Sequence, residues 1–591
     1  MNLYTQRICN VRALMRENKL DIYLVLHSDP HLSEYVSDFY KARTFLSGFD
    51  GSAGTLIITQ EEALLFTDGR YWLEAEEALS GSCIRLEKQN AKNTFLTWLE
   101  ARKNVNQKLG VDFAVLSLAL KEDLEQFCVP KHYDFVSLLW HKRPSLPQAQ
   151  IYEHENDFVS YSRKEKLALV RKKMKEFAVK YHLLSSLDDI AWISNLRGDD
   201  ISFNPVFLSH LLLSQSQAVL FFEKVKIKPD LQKKLKADGI VLKPYNAIIK
   251  ELQKLQKTTI LLEPSKVSAL LVEQLQQTVS LVKKTNPSTL FKACKTQKEL
   301  IHIQNAMKED GKALCEFFAF LEEIVKQGKE ISEVEIDEKL QEFRAKSPFY
   351  HSESFAAIVG FNANAAIVHY RARKENCAKL TKKGLLLIDS GGQYYNGTTD
   401  ITRVIPIGKP NSEQKRDYTL VLKAHIALCS AVFPKDIPLS LLDCLTRAPL
   451  WEVGLDYMHG TGHGVGYFLN VHEGPQSISY FSNNLEKSRA QVGMITSIEP
   501  GIYRKGKWGI RLENLAVICE AKHIKERDFG TFFCFKTLTL CPFELSCIDS
   551  NLLNAKEKKW LNAYHKEVFE KLSKELSPKA LKWLQIRTKK L

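Results

Sequence analysis

Residues 54–72, GTLIITQEEALLFTDGRYW, contain two apolar runs separated by the acid-rich turn Gln60-Glu61-Glu62. This pattern predicts a strand, a turn and a second strand, paired as a hairpin. A further short apolar strand is predicted upstream in residues 21–28, DIYLVLHS. Strands that alternate with helical stretches in this way are typical of an α/β domain.

The same layout returns in residues 210–224, HLLLSQSQAVLFFEK, at an offset of 155 residues. Ala63 then matches Ala218, and Phe66 matches Phe221. Because self-similarity at a fixed offset indicates a duplicated unit, we predict two related α/β domains in tandem. The alternative is a coincidental likeness between two hairpins of a common type.

Domain boundaries are predicted where proline-containing or polar stretches interrupt the pattern. Residues 141–150, HKRPSLPQAQ, are typical of a linker, and a second boundary is expected near residues 286–300. We predict a first domain over residues 1–145, a related second domain over residues 146–290 and a C-terminal domain over residues 291–591.

The C-terminal region is predicted to mix long amphipathic helices with strands. Helical spacing of apolar residues occurs in residues 299–325, 413–433 and 439–454, and the Lys-rich residues 555–591 are also helical in pattern. Strand-like runs are FAAIVG (355–360), AAIVHY (365–370), GLLLIDS (384–390) and TTDITRVIPI (398–407). The predicted fold class is therefore α/β, with an α+β character in the C-terminal domain.

The composition excludes several classes of protein. Of 591 residues, 45% are hydrophobic and 26% are charged, which is ordinary for a packed globular chain and not for a disordered one. The net charge of +14 is spread over the whole length, so no basic patch for nucleic acid is indicated. The twelve cysteines form no C-x-x-C pair, and neither a signal peptide nor an 18-residue apolar span is visible. We expect a cytoplasmic protein with reduced thiols and no nucleic-acid or membrane partner.

Acidic residues that follow apolar strands are costly to bury unless something pairs with them. Asp389 ends the predicted strand GLLLIDS, and Asp400 follows in GTTDITRV after a turn at Asn396-Gly397. That spacing suits a hairpin that brings the two carboxylates to one end.

Three further candidates stand in the same kind of setting. His463 lies in the glycine-rich HGTGHGVG, and Glu499 ends the apolar strand MITSI. Glu513 lies in GIRLENLAVI, which is predicted to be one continuous strand with Arg511 on the same face.

Four carboxylates and one imidazole form a hard donor set that favours Mn²⁺, Co²⁺ or a similar divalent ion over a thiolate-binding one. Five ligands on one ion would leave little room for water or substrate, whereas two ions with bridging carboxylates would hold a hydroxide between them. Any one of these acids alone is more often a surface or cap residue. The absence of a P-loop motif argues against nucleotide binding, and the absence of G-x-S-x-G argues against serine-hydrolase chemistry. The zinc-protease motif H-E-x-x-H is also absent.

Longer motifs carry a family resemblance: LIDSGGQYYNGTTDITR (387–403), HGTGHGVGYFLNVHEGP (459–475) and SIEPGIY with GIRLEN (497–514). They resemble the pita-bread dinuclear metallopeptidases, specifically the three-domain cytosolic aminopeptidase P (Xaa-Pro aminopeptidase) family. SGFDGSAGT (47–55), TDGRYW (67–72) and NLRGDDISFNPVF (195–207) resemble its leading domains. The resemblance implies two tandem creatinase-like α/β domains followed by a pita-bread catalytic domain.

The resemblance also assigns the metal ligands. It implies that Asp400 and Glu513 bridge two divalent ions, that Asp389 completes one ligand set, and that His463 and Glu499 complete the other. Mn²⁺ is the preferred ion, with Co²⁺ and Zn²⁺ as alternatives.

Three further histidines match catalytic positions of the family: His369, His459 and His472. Arg511 is expected to orient the carboxylates without touching substrate. Two departures from the family pattern are noted. His369-Tyr370 is followed by Arg371-Ala372-Arg373, where a residue and then a proline are common, and Ile498 stands where an acid is common.

The implied activity is hydrolysis of the N-terminal Xaa-Pro bond of a peptide, through attack of a metal-bridging hydroxide on the scissile carbonyl. Glu499 would act as general base and then as general acid, while His459 and His472 bind the substrate and His369 lines the proline side. Two alternatives are a prolidase that acts on Xaa-Pro dipeptides and a non-catalytic peptide- or protein-binding protein of the same fold. A homodimer through the catalytic domain is expected, with the apolar positions of KKWLNAYHKEVFEKL (558–572) suited to packing there.

Overall fold

The computed structural model describes residues 2–90, 92–103, 106–482, 485, 488–526 and 528–591. The chain forms two compact units, Met1–Thr289 and Leu290–Leu591.

A six-stranded mixed sheet forms the first half of the N-terminal unit, in the order β4-β3-β2-β1-β5-β6. Its strands are β1 (Ile22–Leu26), β2 (Thr55–Thr59), β3 (Ala63–Thr67), β4 (Arg85–Lys88), β5 (Lys108–Val111) and β6 (Val129–His132). The helices of this half are α1 (Leu3–Glu17), α2 (Ala42–Ser47), α3 (Trp72–Ala78), α4 (Phe95–Glu100), α5 (Leu118–Leu124) and α6 (Phe135–Leu139). β2 and β3 are antiparallel with Ile58 opposite Ala63, so the predicted hairpin is present. Strands β1 and β3 are buried along their whole length, which explains their unbroken apolar runs.

The second half of this unit repeats the arrangement, in the order β12-β11-β10-β8-β13-β14. Its strands are β7 (Tyr152–Glu153), β8 (Tyr181–Leu184), β9 (Leu196–Arg197), β10 (His210–Ser214), β11 (Ala218–Phe221), β12 (Ile240–Lys243), β13 (Thr258–Leu262) and β14 (Val279–Lys283), with β7 and β9 paired outside the main sheet. Its helices are α7 (Arg163–Glu176), α8 (Leu187–Ser194), α9 (Pro229–Ala237), α10 (Ala247–Gln253) and α11 (Ala269–Glu273), and α12 (Pro287–Ala293) follows β14.

The two sheets have the same topology strand for strand. In each, the central strand is antiparallel to the first strand of the hairpin and parallel to the strand on its other side. In each, the hairpin's second strand is followed by a parallel edge strand. The prediction of two related α/β domains is therefore confirmed, whereas the boundary near residue 145 stays a prediction.

The C-terminal unit packs several small sheets against long helices. Its strands are β15 (Tyr350–Glu353), β16 (Ile358–Phe361), β17 (Gly384–Ser390), β18 (Gly392–Tyr394), β19 (Gly397–Thr398), β20 (Ile401–Ile407), β21 (Val432–Pro434), β22 (Gly462–His463), β23 (Ser477–Ile478), β24 (Ile495–Ile498), β25 (Gly501–Arg504), β26 (Trp508–Arg511), β27 (Asn514–Glu520) and β28 (Phe532–Thr537). Its helices are α13 (Gln297–Lys326), α14 (Glu333–Arg344), α15 (Ser412–Cys429), α16 (Asp443–Trp451), α17 (Ala555–Leu572) and α18 (Pro578–Arg587). The sheets of three or four strands run β15-β18-β19, β16-β17-β20 and β21-β28-β27-β24.

Two strand predictions are wrong in detail. Residues 365–370 form no strand: a 3₁₀ helix spans Asn362–Ala366 and further turns follow, because Asn362 adopts a left-handed φ of 52° and redirects the chain. The segment around Glu513 is two strands and not one, since β26 ends at Arg511 and pairs with β25, while β27 begins at Asn514 and pairs with β24.

The apolar residues of α17 do not form a docking surface, contrary to the expectation from sequence. Leu561, Val568 and Leu572 are fully buried in the main hydrophobic core of the C-terminal unit. They pack within their own chain because their helical spacing faces that core.

Candidate metal centre

The two aspartates lie on neighbouring antiparallel strands. Asp389 on β17 stands opposite Thr402 on β20, and Asp400 immediately precedes β20. Both aspartates are buried. The turn at Tyr395-Asn396 belongs to the β18–β19 hairpin, which is inserted between the two strands and is part of a different sheet. The inserted hairpin therefore lets β20 return alongside β17 and brings the two carboxylates to the same end.

A close approach of two backbone segments fixes His463. Its amide donates to Ser497 Oγ over 3.0 Å, and the Glu499 amide donates to the Thr461 carbonyl over 2.8 Å. A Cβ at Gly462 would lie 2.0 Å from the Ser497 carbonyl oxygen, so only glycine allows this contact. The glycine-rich stretch thus places the His463 ring against the end of the strand that leads to Glu499.

Three of the predicted ligands converge tightly. The donor atoms of Asp400, His463 and Glu513 all lie within 4.8 Å of one another. His463 Nε2 lies 3.5 Å from Asp400 Oδ2 and 3.6 Å from Glu499 Oε1. The structure therefore also brings Glu499 to the edge of the group.

Glu513 is placed by the break between β26 and β27. Its amide donates to the Thr402 carbonyl over 3.2 Å, and Thr402 Oγ1 donates to Glu513 Oε2 over 2.8 Å. Because Thr402 also stands opposite Asp389, this one position on β20 holds Glu513 beside the aspartate pair.

The pKa values of the clustered acids indicate that cations are needed to stabilise their ionised forms. Burial and the nearby Asp389 carboxylate raise the pKa of Asp400 well above its usual range. Burial, then Asp400, does the same to the pKa of Glu513, and burial with the charge of Glu513 raises the pKa of Glu499 to about 8. Acids shifted in this way are paired poorly by the protein alone, which is the setting in which bound divalent ions restore the ionised form.

Two buried carboxylate oxygens also indicate a cation site. Asp389 Oδ1 and Glu513 Oε1 have no hydrogen-bond partner within the part of the chain that the structure describes. Buried carboxylate oxygens without donors are costly, and hard divalent cations bind such oxygens. The residues present therefore fit a site for divalent metal.

A hydrogen-bond network, buried at Asp389 and Arg511 and partly buried at Tyr503, extends from Asp389 away from the cluster. Arg511 Nη2 donates to Asp389 Oδ2 over 2.5 Å, and Arg511 Nη1 donates to the Tyr503 hydroxyl over 2.7 Å. The same hydroxyl lies 2.9 Å from His459 Nε2. Burial lowers the pKa of Arg511, but Tyr503 and Asp389 more than offset this and hold that pKa well above its ordinary value. Arg511 is thus a permanent cation that connects Asp389 to His459.

The other two histidines lie on loops. The His472 ring contacts the His463 ring edge to face, with centroids 4.3 Å apart. His369 lies partly exposed in the turns that follow the 3₁₀ helix Asn362–Ala366.

Sequence reasoning missed Thr402 and Tyr503, although both contact predicted site residues. Thr402 had a usable signal, because the residue opposite Asp389 in a β17–β20 pair must face the same side of the sheet. Tyr503 had none, because its contact with Arg511 depends on the pairing of β25 with β26.

Family models match four consecutive regions of the chain. Metallopeptidase family M24 matches residues 302–520, and the C-terminal region of that peptidase matches residues 531–591. The Creatinase/Prolidase N-terminal domain matches residues 7–143 and, in a second model, residues 142–299. The chain belongs to metallopeptidase family M24, in the form that carries two creatinase-type domains ahead of the peptidase domain.

Individual relatives match over nearly the whole length. A probable Xaa-Pro aminopeptidase P of Laccaria bicolor is 37% identical over 98% of this chain and 92% of its own length. Aminopeptidase P2 of Arabidopsis thaliana is 35% identical over 96% of this chain and 86% of its own. The crystal structure of the X-prolyl aminopeptidase of Caenorhabditis elegans, described as a cytosolic enzyme with a di-nuclear active site, superposes with a TM-score of 0.94 at 30% identity over all of both chains. No helix in the described part of the chain combines the length and low charge needed to cross a bilayer.

Proposed function

We propose that this chain is a metal-dependent aminopeptidase that removes the N-terminal residue from peptides with proline in second position. The observation that carries the proposal is the convergence of His463 with the buried Asp400 and Glu513, whose donor atoms lie within 4.8 Å, in a chain similar end to end to Xaa-Pro aminopeptidases.

The metal ligands in this proposal are Asp389, Asp400, His463, Glu499 and Glu513. Two divalent ions held there would activate water and neutralise negative charge that develops on the substrate. Mn²⁺ is the proposed ion because four of the five ligands offer hard carboxylate oxygens. Arg511 keeps Asp389 oriented from behind through its hydrogen bonds.

The proton work is assigned to Glu499. Burial, then the charge of Glu513, raises the pKa of Glu499 to about 8 in the metal-free protein, and bound divalent ions would restore the carboxylate that accepts a proton. It accepts the proton of the attacking water and passes it to the proline nitrogen as the bond breaks. That nitrogen carries no N–H before cleavage, which is why peptidases that bind a scissile N–H serve Xaa-Pro bonds poorly.

The histidines are proposed to bind the substrate. His472 lies against His463 and His459 is held by Tyr503, so both rings have fixed neighbours from which to hydrogen-bond a peptide. His369 is proposed to line the proline side, on a loop that also carries Arg371 and Arg373.

We also propose a homodimeric assembly, a cytoplasmic location and three domains. A homodimer through the catalytic domain is supported by exposed apolar rings, where Trp451 contacts Tyr480 and Tyr480 contacts Phe481. Twelve free thiols favour the cytoplasm. The domains are proposed to span residues 1–145, 146–290 and 291–591.

The test is a peptide panel run on metal-stripped protein with single metals added back. Gly-Pro-X and Arg-Pro-X tripeptides should be cleaved after the first residue when Mn²⁺ is restored, and Ala-Ala-X should not. Equal or better cleavage of Gly-Pro and Arg-Pro dipeptides would instead indicate a prolidase. Tight binding of Xaa-Pro peptides with no cleavage under any metal would indicate a non-catalytic binding protein and overturn the proposal.

A further inference from the structure

Glu333 is a buried carboxylate outside the metal cluster, at the first position of α14, with no exposed surface. Four groups from one loop converge on it. Its Oε1 accepts from the Phe361 amide over 2.6 Å and from Asn364 Nδ2 over 3.0 Å. Its Oε2 accepts from the Tyr370 hydroxyl over 2.9 Å and from the Ala378 amide over 2.7 Å. One carboxylate therefore holds both ends and the middle of residues 361–378.

This loop carries His369. The hydroxyl of its immediate neighbour, Tyr370, is bonded to Glu333 and also receives a hydrogen bond from Asn364 Nδ2 over 3.0 Å. Successive turns join Asn364 to Ile367 and Ile367 to Tyr370 through backbone hydrogen bonds. Because the segment is not a strand, no backbone pairing within a sheet holds it in position. The hydrogen bonds to Glu333 hold it instead.

The base of the loop is also fixed against the site. Asn362 Oδ1 accepts from the Leu385 amide over 3.0 Å, at the start of the strand that leads to Asp389. A Cβ at Gly509 would lie 1.7 Å from the Ala365 carbonyl oxygen, so the 3₁₀ helix lies directly on the strand that ends at Arg511. Glu333 also reaches the later part of the loop, through the Tyr370 hydroxyl and the Ala378 amide.

We propose that Glu333 is a positioning residue for His369, in that it holds the 361–378 loop in the one conformation that presents the histidine to the substrate. The proposal rests on the proposed function, since it takes His369 to contact the peptide. Glu333 itself does not touch substrate or metal in this view.

Glu333→Gln tests the role, because an amide keeps one acceptor oxygen but presents an N–H₂ where Tyr370 and Ala378 donate. In the metal-loaded full chain, kcat/KM for an Xaa-Pro tripeptide should fall by about 10- to 100-fold, as expected when a substrate-binding group is misplaced by about 1 Å. Hydrogen exchange should accelerate in peptides that contain the amides of Phe361 and Ala378.

Glu335→Gln is the matched control on the same turn of α14. Glu335 accepts from the amide and hydroxyl of Ser332 and makes the helix cap, so its loss affects the helix start without touching the loop. Its kcat/KM and loop exchange should stay within about twofold of the starting protein, by the same reasoning about distance from the substrate.

A double mutant separates positioning from general damage. If Glu333 acts through His369, then Glu333→Gln combined with His369→Ala should have the same kcat/KM as His369→Ala alone. Losses that multiply would overturn the proposal, as would an unchanged kcat/KM and exchange rate in Glu333→Gln. If that variant does not fold, Tyr370→Phe removes one of the four donors and should give a smaller loss with faster exchange, and no change would overturn the proposal.

Failure of the proposed function gives a different pattern. If the unaltered chain cleaves no Xaa-Pro peptide, the assigned activity is wrong, and loop exchange in Glu333→Gln then decides the anchoring role alone. Unaltered exchange there would overturn the anchor, and accelerated exchange would support it.

Discussion

Arg511 donates twice to a single oxygen of Asp389, from Nη2 over 2.5 Å and from Nε over 3.2 Å. The other carboxylate oxygen, Asp389 Oδ1, is buried and has no partner in the part of the chain that the structure describes. One oxygen is thus neutralised by a fixed cation, while the second stays available for a metal. Arg511 can therefore orient Asp389 through Oδ2 while Oδ1 stays free to bind a metal.

Replacing Arg511 with lysine should lower kcat/KM and metal affinity by about 10- to 100-fold, because an ammonium cannot reproduce the two donors to Asp389 and the third to Tyr503. Arg504→Lys is the matched control, since Arg504 makes a comparable two-donor contact with Asp417 at 2.9 Å. Titration of metal into stripped protein measures the affinity. Equal losses in the two variants would contradict a specific role for Arg511.

Glu499→Gln should lower kcat by at least about 100-fold, because an amide cannot carry the proton from water to the proline nitrogen. Metal content must be measured by elemental analysis, since Glu499 is also a proposed ligand. Glu413→Gln is the control, because Glu413 is an exposed residue in the first turn of α15. Near-normal turnover in a fully metal-loaded Glu499→Gln protein would show that the proton role is assigned to the wrong residue.

Metal-free protein should lose stability as the pH rises. The folded-state pKa of Glu499 is raised from 4.5 to about 8 by burial, then by the charge of Glu513. The stabilising effect of the protonated form is therefore fully present below about pH 4.5 and is lost as the pH rises through about 8, on the order of 5 kcal/mol in the limit. Divalent ions should reverse the loss.

Denaturant unfolding between pH 5 and pH 8.5, with and without Mn²⁺, measures this effect. Stabilisation by the metal should increase with pH, and the decline of the metal-free protein should be shallower in Glu499→Gln, which cannot ionise there. A metal-free protein that is more stable at pH 8 than at pH 5 would contradict the electrostatic account.

Two glycines of the motif HGTGHG should respond differently to alanine. At Gly462 a Cβ would lie 2.0 Å from the Ser497 carbonyl oxygen, whereas at Gly460 the nearest atom is the Ser479 Cβ at 3.4 Å. Gly462→Ala should cost about 3 kcal/mol or more of unfolding free energy and lower the metal content, since His463 must move. Gly460→Ala should change the stability by less than about 1 kcal/mol. Similar melting temperatures for the two variants would rule out the close approach as the reason for glycine.

Local patterns predicted much of the fold because local forces form those elements. The two hairpins, the amphipathic α13 and α15 and the duplicated α/β topology follow from apolar periodicity and turn composition. The strand prediction for AAIVHY (365–370) was wrong, although its apolar run has the composition of a strand. Asn362 turns the backbone, and the segment hydrogen-bonds to the Glu333 carboxylate through Tyr370. Neither influence is visible in a window of six residues.

Some residues of the candidate site could be predicted from the sequence and others could not. Asp389, Asp400 and Glu499 were identifiable because carboxylates beside apolar strands must be compensated. Tyr503 and Thr402 were not, since a hydroxyl beside a strand is unremarkable until its partner is known. The break at Leu512-Glu513 was missed for the same reason, as it arises where the chain passes from one pairing partner to another.

The sequence by itself determined which residue types are available, where most of the strands and helices form, and that a hard-donor metal site was to be expected. Only the tertiary structure decided that the donors of Asp400, His463 and Glu513 lie within 4.8 Å, and that Arg511 occupies one oxygen of Asp389. The physical reason is one of range. Periodicity and turn chemistry act over a few residues, whereas the distance between side chains 50 to 122 positions apart depends on strand pairing and on glycine contacts that no local pattern specifies.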